Sequence, residues 1–455
     1  MYPLHISGCT FEDNKATESD QNGGAIYLGP KNPVNPIEIC EITGSTFIGN
    51  SAASGKGHIL FVDSGLTTDL IIDSSNTFTN NNNDSGSGSA IYFNGKSALH
   101  ITFPIFSDEK LSRFIEFGED CEATLEDVAF TGCQEKDGDG NAVKIGLNSK
   151  SVTLRSCTFT NCGTKGYVVS DVDGASIFED CSFVFDVQTA CCALDITTNK
   201  AVTVVGCTFN KNNNGYDASS KHGTLYYHPE NPTTKATFTS CSFIQCSGNT
   251  NIAFSIRTSI EPEFSFITVN NTGSEDSPST NYIGEVYLTS ETSFNPEFCS
   301  INNNVASTDF GGGCAILVKS ESDSEFSLTY RSCQWTNNYA VYSKDVGNNR
   351  YNGVGGAYQH GFDSSSTNVL LEFNNCTFLD NKSDREGGAL AIQVVKNVLI
   401  TKCYFKGNRA GVKVQSSSLN LLDLPRGAGY GGALYIDPDF SQNGKPQMQF
   451  HIEES

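Results

Sequence analysis

The sequence predicts an all-β fold, a single-stranded right-handed parallel β-helix of about 13 coils, from three observations. A pattern of apolar residues, cysteine and phenylalanine recurs along the chain. A paired-glycine block follows it in many copies. No segment carries the apolar period of an amphipathic helix. The bulk composition agrees: charged residues are only 18%, Phe is abundant at 30, and Met (2) and Trp (1) are sparse. The polar surface is therefore mostly Ser, Thr, Asn and Gly, residues of strands and turns.

The repeat is aligned on an aromatic or large apolar anchor: Phe11, Phe47, Phe78, Phe130, Phe159, Phe183, Phe209, Phe243, Phe266, Ile301, Trp335, Phe378 and Phe405. Two residues before it stands Cys9, Cys157, Cys181, Cys207, Cys241, Cys299, Cys333, Cys376 or Cys403. Residues two apart on a strand share a face, so Cys and anchor point inward together. An apolar pair lies seven and five residues before the anchor, as in Val152/Leu154 and Leu371/Phe373. The step from that pair to the cysteine is three, which breaks alternation and demands a bend between two short strands. The bend residues are small or polar, as at Ser7-Gly8 and Asn374-Asn375.

Three residues after the anchor comes Asn14, Asn50, Asn81, Asn212, Asn304, Asn338, Asn381 or Asn408. Asn tolerates left-handed backbone and bonds its own turn, and on stacked coils it can also bridge to its counterpart in a ladder. The glycine block, as in Gly23-Gly24-Ala25-Ile26-Tyr27 and Gly387-Gly388-Ala389-Leu390, reads as a sharp turn into a third strand. Hairpin turns do not recur, which argues against a propeller or an up-and-down barrel. One continuous solenoid over 1–455 is expected, with long insertions near 94–120, 340–352 and 411–428. The chain is expected to continue beyond both ends, because Phe450 and Ile452 open a further copy.

Phe11-Glu12-Asp13-Asn14 with Gly23-Gly24-Ala25-Ile26, and Phe378-Leu379-Asp380-Asn381 with Gly387-Gly388-Ala389-Leu390, are full pairs of two short motifs. In them the chain resembles the chlamydial polymorphic outer-membrane proteins and the repeat surface proteins of trichomonad protists. The resemblance implies a pectin-lyase-like β-helix displayed at the cell surface as an adhesin or virulence factor. This chain departs from the bacterial pattern in lacking a C-terminal membrane barrel. Its frequent Cys and Asn-rich loops are closer to the protist group.

The expected function is a non-enzymatic adhesion or recognition rod, extracellular or at the cell surface, with binding carried by loops. A host-cell or matrix protein or a glycan is the expected partner. A formal charge of −22 repels phosphate and argues against nucleic acid. No apolar run is long enough for a membrane span, so anchoring would need segments absent from this chain. The alternatives are a polysaccharide-active β-helix enzyme and a structural spacer. The carboxylate clusters such an enzyme needs are not legible: Asp20, Asp186 and Asp380 fall in different copies, Gly57-His58 is isolated, and the seven His read as scattered surface positions. No residue is assigned a catalytic, cofactor-binding or metal-ligating role. Asp137-Gly138-Asp139-Gly140-Asn141 opens like a calcium loop, but Asn148 stands where the closing Glu belongs. The 17 Cys read as buried thiols, with an odd one left over. Glycosylation acceptors occur at Asn83, Asn270, Asn375 and Asn381.

Overall fold

The structure is a computed structural model that describes residues 2–29, 37–64, 66, 69–81, 88–101, 113–119, 121–131, 141–146, 149–162, 167–172, 174–185, 192–212, 224–246, 253–272, 283–289, 292–306, 316–320, 326–342, 354–360, 369–393, 397–411, 431–437 and 449–453. Strands are the regular elements among these residues. The chain groups into two compact units, Met1–Tyr216 and Asp217–Ser455.

In the first unit most coils show three short strands, the first two coils adding a two-residue fourth (Lys15–Ala16 and Ser51–Ala52), and strands pair in parallel with their counterparts one coil away. The first sheet runs through Tyr2–Ser7, Ile37–Thr43 and Asp69–Ile72 to Val202–Val205. The second carries the anchors: Phe11 pairs Phe47, Phe47 pairs Phe78, and Phe130, Phe159, Phe183 and Phe209 pair in turn. The third begins with Ile26–Leu28 and Leu60–Val62 and includes Cys192–Ile196. The second unit repeats the arrangement: its anchors Ile301, Trp335, Phe378 and Phe405 pair in one parallel ladder. Neighbouring coils supply the hydrogen bonds, so no coil closes on itself, as a solenoid requires.

The inward residues stack coil upon coil. Phe130–Phe159 and Phe159–Phe183 have ring centroids 4.8 Å apart, and Trp335–Phe378 repeats that spacing. This is the separation of paired strands, so the backbone ladder dictates the aromatic one. Each fully buried ring contributes on the order of 2 kcal/mol by leaving water. Cys207 and Phe209 are fully buried. The cysteines do more than fill space: Cys181 Sγ–H donates to the carbonyl of Leu154 one coil away at 3.3 Å, and Cys403 does the same to Phe373. In early coils Ser45 and Asn76 take this place, with Asn76 Nδ2 donating to Ile42 O at 2.7 Å. The described cysteines are free thiols. Burial pushes the Cys40 thiol up to about 11.

The asparagines form ladders. Asn338 Oδ1 accepts from the backbone N–H of Asn304 at 3.2 Å and from its Nδ2 at 3.1 Å. Asn338 Nδ2 donates to Ile301 O at 2.7 Å and to Asn381 Oδ1 at 3.0 Å. Asn14, Asn50 and Asn81 repeat this in the first unit. Asn212 also bonds its own turn, donating to Asn210 O at 3.4 Å, but the left-handed backbone expected of these asparagines is not found at the ladder positions. The left-handed residue is the one before it: Asp13, Gly49, Asn80, Asn303, Asn337 and Asp380 all have φ between 51° and 62°.

The paired glycines have separate duties. The first of each pair is left-handed, with φ 72° at Gly23 and 64° at Gly387. The second permits close approach: a Cβ on Gly388 would lie 2.0 Å from Gly432 O and 2.5 Å from Arg409 N.

Three expectations need correction. The segment near 94–120 is not an insertion. Lys96–Ile101 pairs with Asp69–Ile72 and Glu122–Glu126, and Arg113–Phe117 pairs with Ser89–Phe93 and Asn141–Ile145. It is a further coil, whose pair Leu99/Ile101 would set an anchor at Phe106, outside the described residues. The other two expected insertions lie mostly in 343–353 and 412–430, also outside them. The anchor of its coil is Val269, paired with Phe243 and Ile301, and not Phe266. Finally, two histidines are core residues: His58 and His360 are buried.

Candidate interaction surface

The outward positions of the first sheet carry charges that pair across coils. His5 Nδ1 meets Glu41 at 2.8 Å, Arg155 Nε meets Glu179 at 2.8 Å, and Arg331 Nη1 meets Glu297 at 3.3 Å. Such exposed pairs contribute little stability, but each gives a carboxylate a partner on a neighbouring coil. No group of three or more His, Cys, Asp or Glu able to hold a metal ion is found among the described residues.

Of the residues weighed for chemistry, Asp20 is exposed and Asp186 and Asp137–Gly140 fall outside the described residues, as does Asn148. Asp380 occupies the left-handed corner before the ladder. His58 stands where other copies have their second glycine, and its Nδ1 accepts from Ala52 N at 3.0 Å. His360 packs beneath Tyr358, whose hydroxyl lies 3.1 Å from His360 Nδ1. Burial holds His360 down to about 4, so it is neutral in the core. Asp384 is committed on both oxygens, to the Tyr339 hydroxyl and, at 2.8 Å, to the Tyr342 N–H. These are structural roles. The acceptor Asn381 is likewise buried in its ladder, whereas Asn375 sits at an exposed bend with its Nδ2 donating to Ser332 Oγ.

The feature that stands apart is in the second unit, at the bend between first and second strands. Each bend holds one left-handed residue, and the column reads Ser240, Phe266, Phe298, Ser332, Asn375, Lys402. Two of these are phenylalanines, at φ 54° and 53°. An aromatic residue in this region costs on the order of 1–2 kcal/mol because its Cβ crowds the following carbonyl. Burial recovers only part of this: Phe266 is 54% and Phe298 50% exposed. Their rings stack at 4.9 Å, 10° from parallel. The Glu297–Arg331 ion pair lies in the adjoining outward column, where Ser265, Glu297 and Arg331 bridge in sequence.

A second aromatic group lies on the outward side of the third sheet in this unit. Tyr226 and His228 stack at 5.3 Å, Arg257 donates to His228 Nε2 at 3.1 Å, and its guanidinium lies over Tyr287 at 5.2 Å. Burial and then the neighbouring Arg257 lower the His228 pKa, which keeps its Nε2 an acceptor.

Sequence reasoning missed the Phe pair through the misplaced register. With Val269 as anchor, Phe266 and Phe298 both fall three residues before an anchor, where the other described copies are small, polar or charged.

Comparison with known families gives two matches. Residues 70–231 match the right handed beta helix region, which gives the handedness of the winding. Residues 8–29 match the Chlamydia polymorphic membrane protein repeat. No curated protein and no solved structure matches the chain.

Proposed function

With a right-handed β-helix that carries a polymorphic membrane protein repeat as the premise, we propose that this chain is a non-enzymatic recognition surface of the adhesin type, displayed outside the cell. The repeat supports the surface location. The observation that carries the recognition role is the Phe266–Phe298 pair: two aromatic rings held at a backbone cost and left half in water. Strain of this kind persists where it serves a function and the surrounding structure enforces it. The polar ladder residues are consumed by packing, so recognition is left to bends and loops.

The test uses the purified full chain. Saturable binding to host cells or to matrix-coated plates, with no release of reducing ends or unsaturated products from polysaccharides, is the expected result. Turnover of a polysaccharide, or no saturable binding to either surface, would overturn the proposal.

A further inference from the structure

Resting on that reading, we infer that the bend carrying Phe266 and Phe298 is a binding subsite for an uncharged pyranose ring of a glycan. The argument begins with ring orientation. The two rings are nearly parallel and their centroids are 4.9 Å apart, the spacing of neighbouring coils, so they stack coil upon coil. Each ring covers one face of the other. The column of left-handed residues continues with Ser240 on one side and Ser332 on the other. Both are short hydroxyl residues that cannot cover a benzene ring.

An aromatic face carries partial negative charge and attracts C–H groups. A pyranose offers an apolar face of axial C–H groups and an equatorial rim of hydroxyls. Its face fits an open ring, and its rim fits what surrounds these rings: the Ser240 and Ser332 hydroxyls and the half-exposed Glu297–Arg331 pair. Carboxylate and guanidinium oriented against each other present an acceptor and planar donors to vicinal hydroxyls. A protein partner fits less well. Stable protein interfaces need about 800 Å² from each side with an apolar centre, and this apolar strip is two rings long and bordered by polar residues. Charge selects within the sugars: a chain of net charge −22, with Glu297 beside the rings, disfavours sulfated or sialylated glycans.

The column also suggests why the backbone accepts aromatic residues here. A left-handed bend turns the side chain out between two coils, where a ladder position would turn it into the core. The expense is repeated in two successive coils, which yields a platform instead of one isolated ring.

The experiment is a printed array of neutral, sialylated and sulfated oligosaccharides, probed with the labelled full chain and with the double variant Phe266→Asn/Phe298→Asn. Asn accepts the left-handed backbone, so the variant keeps the coil, and an unchanged or raised Tm verifies this. Binding confined to neutral pyranosides, weakened at least about tenfold in the double variant, is expected, since a lost stacking contact is worth about that factor. Glu297→Gln should weaken binding further without lowering Tm. Absence of binding to any neutral glycan, or full binding by the double variant, overturns the inference. If the wild type binds host cells but no glycan, this inference falls while the recognition reading stands; if it binds neither, both fall.

Discussion

Asn338→Ala probes the ladder at its best-defined rung. The substitution leaves the Asn304 N–H without the Asn338 Oδ1 and the Ile301 carbonyl without the Asn338 Nδ2, at sites where Asn304 and Asn338 are fully buried. An orphaned buried group costs about 1–3 kcal/mol, so the two together predict a loss of about 3 kcal/mol or more. The adjacent Asn337→Gly is the control. Asn337 is exposed and left-handed (φ 56°), and glycine there is expected to be neutral or slightly stabilising. Trp335, the single Trp of the chain, stacks on Phe378 in this coil and reports its opening directly. Urea titration of both variants, followed by Trp fluorescence, should show an early transition for Asn338→Ala only. Coincident midpoints for the two variants would refute the ladder as a source of stability.

Three further outcomes follow from the packing. Gly388→Ala should cost about 3 kcal/mol or more by overpacking, whereas Gly432→Ala, whose Cβ would meet only Asn408 O at 3.5 Å, should change the Tm little. The Cys40 thiol is raised in the folded chain from 9.0 to about 11. Its contribution is therefore complete below pH 9 and is lost as pH rises toward 11, so Tm should fall over that range, with less slope in Cys40→Ala. Exposed Cys9 should react with a thiol reagent before Cys40 does. His360 is depressed from 6.5 to about 4, so its contribution is present above pH 6.5 and lost as pH falls toward 4. Tm measured across that interval should fall less steeply in His360→Phe; equal slopes would contradict a neutral buried imidazole.

Most of the coil is legible in sequence because its rules are local: Cys, anchor and Asn keep fixed spacing, and one glycine block suffices to mark the third strand. What escaped did so for physical reasons. The coil around Leu99 lacks both Cys and Asn, and only its apolar pair betrays it. Phe266 misled because an aromatic residue ordinarily signals burial, and a strained, exposed bend position breaks that rule. His58 and His360 read as surface residues because single-chain patterning cannot see that a neighbouring coil supplies the cover. The Phe266–Phe298 pair was invisible as a pair, since the two are 32 positions apart and adjacent only through the winding.

The uniform spacing of anchor, cysteine and asparagine has a consequence at the level of the gene. Each coil inspects its neighbours at only a few positions, and those positions are the same in nearly every copy. A recombination event that removes residues 159–182 would join Thr158 to Phe183 and leave Cys157-Thr158-Phe183 in the Cys-x-Phe register. Duplication of the same segment would do so equally. Unequal crossing-over between copies is therefore structurally silent when it spans a whole repeat, and lethal to the fold when it does not. A lineage carrying this architecture can change the number of coils, and with them the set of bends and loops on display, in single steps that leave the core unchanged.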